Sequence, residues 1–209
     1  MNRFTLTLAS LALTTAANAS ITSNAGSTTF LGTPPLNAQQ FNLTGATAYC
    51  WNEQTGVTSS ATPVNITSNG IYSGPTPNFS IVSGTFDSHF IHFDPSPTPT
   101  AISGSVTFSG TIAAVIYDRT LLSLSDSVFG SGGTTYDTAN PLRSMVGNAV
   151  GSNGLTVAGN TLFFQLGVFP GMVNRMAEIR VLTVSIPTPS SAALATLGGL
   201  ITLRRRRRR

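Results

Sequence analysis

The sequence predicts an all-β protein: an antiparallel β-sandwich, jelly-roll or Ig-like, carrying one short helix. Three observations predict it. Apolar and polar side chains alternate along Ile102–Ile116 and Leu162–Val168, the mark of strands with one buried and one wet face. Short β-branched and aromatic runs recur through the chain, separated by Gly, Asn and Pro turn signals. Only Arg119–Phe129 departs, with Leu121, Leu122, Leu124 and Val128 close to helical spacing. Many short strands with little helix point to packed sheets rather than to alternating strands and helices.

Taken in order, Met1–Ala19 reads as a secretory signal peptide. Arg3 supplies the positive end, Phe4–Ala16 the apolar core, and Ala17-Asn18-Ala19 the small-x-small cleavage pattern, so the mature chain is expected to start at Ser20. Residues 20–185 are expected to form one exported domain. In its first part Thr28–Leu31, Leu43–Tyr49 and Val64–Thr67 are predicted strands, and Asn69-Gly70 predicts a hairpin joining Val64–Thr67 to Ile71-Tyr72. Phe79–Phe93 holds two strand-like runs, FSIVSGTF and SHFIHF. Asp94–Thr100 must be a loop, because closely spaced prolines cannot serve a central ladder.

The clearest pattern follows. Ile102, Val106, Phe108, Ile112, Ala114 and Ile116 all fall on even positions. Gly110 marks a bend or bulge. Beyond it Ala113 and Val115 make the strand apolar on both sides, as in a central, covered strand. The helix over 119–129 ends at Gly130–Gly133, and Tyr136–Asn153 is a long closing loop. Leu155–Val157, Leu162–Val168 and Ile179–Ile186 complete the strands.

The formal charge of +4 belongs to the ends of the chain. Within residues 20–185, four arginines (Arg119, Arg143, Arg175 and Arg180) face seven acids, a formal charge of −3, and there is no lysine anywhere. Binding nucleic acid requires a basic patch to neutralise phosphates, so that partner class is excluded. Charged residues are 9% of the chain, against roughly 25% in ordinary soluble domains, and Ser, Thr, Asn and Gly carry the polarity instead. Cys50 is the only cysteine, so no intramolecular disulfide exists and the thiol reads as a small packed side chain.

Few residues suit chemistry. His89 and His92 stand three apart in a strand, which sends them to opposite faces, with Asp87 beside the first and Asp94 beside the second. They read as strand histidines hydrogen-bonded to neighbours, because a metal needs more converging ligands. No Gly-x-Ser-x-Gly elbow and no P-loop lysine occurs, and Gly130-Ser131-Gly132-Gly133 reads as a turn. Asp118, Asp126 and Asp137 flank the helix without EF-hand spacing and read as solvated loop acids. The sequons at Asn42, Asn65 and Asn78 arise by chance in so Thr-rich a chain. No catalytic, cofactor-binding or metal residue is expected, and no cofactor.

The run from Ile186 to Arg209 is different in kind. Pro187, Thr188 and Pro189 stop the last strand. An apolar stretch, Ala192–Leu203, favours helix but is shorter than the roughly 20 residues that span a bilayer. Arg204, Arg205, Arg206, Arg207, Arg208 and Arg209 then hold the cytoplasmic side. This ordered set resembles the PEP-CTERM sorting signal in a Pro-Thr-Pro variant, with Thr188 where the family usually has an acidic residue. The resemblance implies an exported chain anchored transiently in the inner membrane by a C-terminal helix. It also implies two processing partners, signal peptidase and an exosortase-type membrane protease, and release to the cell surface or beyond. Phe79–Ser185, with SHFIHFDP, SGSVTFSGTIAAVIYD and RVLTVS, is similar to the exported domain of many such proteins, which implies no known activity. The expectation is a non-catalytic bacterial envelope or extracellular-matrix protein associated with biofilm exopolysaccharide. The alternatives are a secreted carbohydrate- or Ca²⁺-binding adhesive module and, third, a secreted hydrolase.

Overall fold

The structure, a computed structural model, describes residues 16–17, 19–73, 79–95, 101–145, 153–168 and 176–187. Residues 1–15 of the expected leader, the proline-rich loop beyond Pro95, Thr188, Pro189, the apolar stretch and Arg204–Arg209 lie outside these residues. The chain divides into two units, residues 18–185 and residues 1–17 with 186–209. In the second, β1 (Ala16–Ala17) pairs antiparallel with β15 (Ile186–Pro187), Ala17 opposite Ile186 and Ala16 opposite Pro187.

The larger unit is mostly strand. Its elements are β2 (Ile21–Gly26), β3 (Thr28–Phe30), β4 (Asn37–Ala38), β5 (Ala48–Asn52), β6 (Val57–Val64), β7 (Gly70–Ser73), β8 (Ser80–Phe93), β9 (Ala101–Phe108), β10 (Ile112–Ile116), α1 (Arg119–Phe129), β11 (Thr135–Tyr136), β12 (Gly154–Ala158), β13 (Thr161–Gly167) and β14 (Ala177–Val184). A five-stranded antiparallel sheet runs β2-β9-β13-β12-β7. A six-stranded sheet runs β10-β14-β8-β5-β3, with β6 also paired to β8. The two sheets share one core. Val106, Phe108, Leu162, Phe164 and Leu166 from the first meet Cys50, Ile91, Phe93, Ile179 and Val181 from the second, as the two-period pattern requires.

The other face of the six-stranded sheet is covered by α1. Trp51, Phe90, Ala114, Ile116 and Leu182 pack there with Leu121, Leu122 and Phe129 of the helix. The helix falls where the leucine spacing placed it. Asp118 caps its start by accepting from the amides of Thr120 and Leu121, two donors that lack an intrahelical partner.

Gly110 is the corner at which the chain leaves β9 for β10 in the other sheet. A Cβ there would stand 2.7 Å from the Val184 carbonyl oxygen and 3.0 Å from Ala19 Cβ, so only glycine fits.

Several expectations are corrected. The runs FSIVSGTF and SHFIHF form one fourteen-residue strand, β8, because β6 covers its first half, β5 its second half, and β14 the second half on the other side. Asn69-Gly70 makes no hairpin: β6 belongs to the six-stranded sheet and β7 pairs β12 in the other. The two-residue hairpin lies instead at Gly159-Asn160, between β12 and β13, where Gly159 adopts φ +64°. Residues 43–47 are turn, and strand begins at Ala48. β10 closes the order of its sheet rather than sitting centrally, and a bridge from Ile66 to Val115 covers its free side. Two pairings, β3 with β5 and β4 with β11, are parallel, so the sheets are not wholly antiparallel.

Candidate functional site

Between α1 and the six-stranded sheet lies a buried ionic cluster. Arg180, on β14, has a fully buried side chain. Its Nε donates to Glu53 Oε2 at 2.7 Å and its Nη2 to Glu53 Oε1 at 2.8 Å, the two-pronged geometry that makes a guanidinium–carboxylate pair strong. Nη2 also donates to Asp126 Oδ1 at 2.9 Å, and Nη1 to Ser125 Oγ at 2.5 Å and the Leu122 carbonyl at 3.3 Å. Thus one strand residue grips the helix through three of its residues.

Arg143 repeats the pattern. Its two Nη atoms donate to Asp126, at 2.5 and 3.0 Å, and its Nε to Glu178. Glu178 Oε1 in turn lies 2.8 Å from His92 Nδ1. The remaining lone pairs of Glu53 accept from the Tyr136 hydroxyl at 2.5 Å and the Ser88 hydroxyl at 2.6 Å. Phe90 and Tyr136 lie over the guanidinium carbons, with centroid distances from 5.0 to 5.8 Å.

The electrostatics follow from this. Burial alone would raise the Glu178 pKa, but Arg143 and His92 outweigh it and hold the carboxyl below its ordinary range. Burial would likewise weaken the charge on Arg180, and Glu53 and Asp126 reverse it. For Tyr136, burial and the Glu53 carboxylate both push the phenol upward. The assembly clamps a helix onto a sheet with paired charges: Glu53 accepts four hydrogen bonds, Asp126 three and Glu178 two. Two atoms nearby are not satisfied: Trp51 Nε1 and His92 Nε2 are buried without a partner among the described residues.

The sequence-predicted candidates are distributed otherwise. His89 and His92 do point to opposite faces of β8. His89 lies within 2.8 Å of Asn52 Oδ1 and 3.0 Å of Thr183 Oγ1 and packs on Phe108, at a centroid distance of 4.6 Å. Burial, opposed by Asp87, lowers its pKa to about 4. Asp118 is a part-exposed helix cap, whereas Asp126 is the hub of the clamp, so the reading of solvated loop acids fails for Asp126. Asp137 accepts from the Asn140 side chain at 3.4 Å. Asn65 is buried, its Oδ1 accepting from the amides of Tyr117 and Asp118. Cys50 is buried and burial raises its thiol to about 12, which leaves it an unreactive packed side chain.

Asp94 caps the turn before β5. Its Oδ2 accepts from the Phe41 amide at 2.5 Å, and Phe41 is held at φ +67°, a conformation rare for a bulky residue. Burial raises the Asp94 carboxyl, with the Phe41 amide and His92 opposing.

Of the predicted processing residues, Ala19 is buried and its amide donates to Asp87 Oδ2 at 2.5 Å. Asp87 Oδ1 accepts from Gly56 and from the Ser185 hydroxyl. This carboxylate therefore joins the first and last stretches of the larger unit. Ser20 donates to Ser109 Oγ at 2.9 Å. Ala17 and Pro187 lie in the β1–β15 pairing, and Thr188, Pro189 and the six arginines lie outside the described residues.

Among the described residues no group of His, Cys, Asp and Glu is arranged to hold a metal ion, and no helix is long and apolar enough to cross a membrane. No family model, curated protein or solved structure matches the chain.

Proposed function

We propose that this chain is an exported, non-catalytic protein of a bacterial envelope or extracellular matrix, sorted through its Ile186–Arg209 run and cut there by an exosortase-type protease. The observation that carries the reading is the order of that run: Pro187-Thr188-Pro189, then Ala192–Leu203, then six arginines. A leader-like Met1–Ala19 supports it. The low charge of residues 20–185 and a charged cluster whose carboxylates are all paired with buried cations fit a stable module better than a reaction centre. Two sheets sharing one core fit the β-sandwich class, jelly-roll or Ig-like, on which such modules are commonly built.

The test uses two variants of the run. Moving an arginine to the bilayer centre costs about 2.5–3.5 kcal/mol on insertion scales. Replacing Arg204–Arg209 by serine should therefore release unprocessed protein, while Pro187→Ala with Pro189→Ala should leave it membrane-bound and uncut. Fractionation and intact-mass measurement decide, and N-terminal sequencing of the exported form should read from Ser20. If both variants are processed like the parent chain, the run is not a sorting signal and the proposal falls.

A further inference from the structure

The outward face of the five-stranded sheet has not entered the account. Its middle strand is β13, and Phe163 stands at its centre, 49% exposed. The register puts Ser105 of β9 on one side of Phe163 and Thr156 of β12 on the other, with Ile71 of β7 beyond, 81% exposed. The next row pairs Gln165 with Ser103 and with Gly154. Gly154 has no side chain, and a Cβ there would meet nothing closer than 3.8 Å, so the row sinks beside the Phe163 ring. The result is an open groove of about 590 Å³.

Its chemistry is specific in two ways. None of the residues lining the groove is an aspartate, glutamate, lysine, arginine or histidine. And among the described residues, the side chains of Ser103, Ser105, Thr156 and Gln165 make no hydrogen bond. One row away the Thr107 and Thr161 hydroxyls bond each other at 3.1 Å. Hydroxyls and an amide left open beside an exposed ring suit a partner with apolar ring faces and a dense fringe of neutral donors and acceptors. We infer that this groove binds a neutral polysaccharide chain, with the pyranose face on Phe163 and the sugar hydroxyls on Gln165, Ser103, Ser105 and Thr156. Five strands at about 4.8 Å spacing give a track of about 19 Å, long enough for several sugar units. The formal charge of −3 on residues 20–185 disfavours an anionic polymer. A second copy of the chain is disfavoured as occupant because, of the described residues lining the groove, only Phe163 and Ile71 are large and exposed hydrophobics, too little for the core of a stable dimer.

The inference rests on the reading of an exported, non-catalytic protein, but its test is separate. The full chain is titrated calorimetrically with neutral hexasaccharides (cellohexaose, xylohexaose and mannohexaose) and with an anionic hexauronate. At least one neutral ligand should bind and the hexauronate should not. Phe163→Ser, which removes the stack, and Gly154→Val, which fills the groove, should each weaken binding about tenfold or more. Ile81→Ser, an exposed apolar residue outside the groove, should leave it unchanged. Near-parental melting of all three variants is confirmed first, and Gln165→Ala serves as the second variant if Gly154→Val fails to fold. No binding of any neutral ligand at millimolar concentration, binding insensitive to Phe163→Ser and Gln165→Ala, a preference for the hexauronate, or dimerisation abolished by Phe163→Ser would each overturn the inference. A correctly sorted chain without glycan binding overturns it and leaves the sorting proposal standing.

Discussion

The helix-covered face of the six-stranded sheet and the bare face of the five-stranded sheet are made of opposite materials. Under the helix sit Arg143, Arg180, Glu53 and Glu178, paired with one another and with Asp126 of the helix itself. On the bare face the groove is lined by hydroxyls, two side-chain amides and aromatic rings, with no carboxylate or cation. Five of the seven acids (Glu53, Asp87, Asp94, Asp126 and Glu178) are buried or nearly so. The protein thus places charge where water is excluded and neutral polar groups where water is present, the reverse of the usual surface. What this teaches is energetic. Buried charges cannot be removed singly, because each leaves its partner unpaired, whereas exposed hydroxyls can be exchanged at little cost.

The largest effect should therefore come from Arg180. Arg180→Ala leaves the Glu53 carboxylate buried without its cation, held only by the Tyr136 and Ser88 hydroxyls, and removes one of the three donors to Asp126; it should cost about 3–5 kcal/mol in urea unfolding. Thr156→Ala on the bare face should stay within about 0.5 kcal/mol. A cost below about 1 kcal/mol for Arg180→Ala would mean the cluster is not the clamp described.

The second effect uses pH and His89. Its pKa is near 4 in the folded chain and 6.5 in the ordinary state. Between these values the unfolded chain binds a proton that the native chain refuses, so stability falls as pH falls. From pH 7 to pH 5 the loss should be about 2 kcal/mol. Glu178 acts lower: its depressed pKa gives stability above the usual carboxylate value that is lost as pH drops through the folded value. Asp94, raised by burial, has the opposite sign and favours the folded state on acidification. His89→Gln should flatten the slope between pH 7 and 5 only. An unchanged slope would show that the histidine is charged, or that another group titrates there.

The third effect compares two glycines of the five-stranded sheet. Gly104 faces inward: a Cβ there would stand 2.3 Å from Thr28 Oγ1, 2.9 Å from Phe164 Cζ and 3.0 Å from the Ala25 carbonyl. Gly104→Ala should cost about 1–3 kcal/mol by overpacking. Gly154→Ala, on the open side, should change stability by no more than about 0.5 kcal/mol. Equal costs would show that the two sides are packed alike.

The bare face was legible and the covered one was not. The alternation of Leu162, Phe164 and Leu166 with Phe163 and Gln165 states which side chains turn outward, because a strand has a fixed period of two. The helix was legible from Leu121, Leu122, Leu124 and Val128. The ionic cluster is assembled from positions 53 to 180, and no local pattern reports such separations. One signal was present: Glu178 and Arg180 sit inside the otherwise apolar run Ala177–Leu182, and charges within a buried strand must be paired. The same blindness produced the misplaced hairpin at Asn69-Gly70, since turn chemistry says where a chain reverses but not which sheet receives it. Thr188, Pro189 and the six arginines, on which the sorting proposal depends, lie outside the described residues.

The smallest effect concerns how α1 is held. Two devices fix it: the cap at its start and the clamp along its inner side. Asp118 Oδ1 accepts from Thr120 at 2.8 Å and from Leu121 at 3.3 Å. The amides of Tyr117 and Asp118 are already satisfied by Asn65, so the cap serves the helix alone. Asp126, Ser125 and the Leu122 carbonyl meanwhile bind Arg180 further along. If the clamp dominates, the cap contributes only its local share. Asp118→Ala should then cost about 1 kcal/mol, the usual value for a lost N-cap. Asp118→Asn keeps an acceptor oxygen and loses only the charge at the helix N-terminus, so it should cost a few tenths, about 0.3–1 kcal/mol at most. Urea unfolding of both variants at pH 7 separates the contributions. Equal losses would assign the effect to charge rather than to the hydrogen bonds. A loss well above about 2 kcal/mol for Asp118→Ala would mean that the helix hangs on its cap, and that the buried charges beneath it are held in place by the helix rather than the reverse.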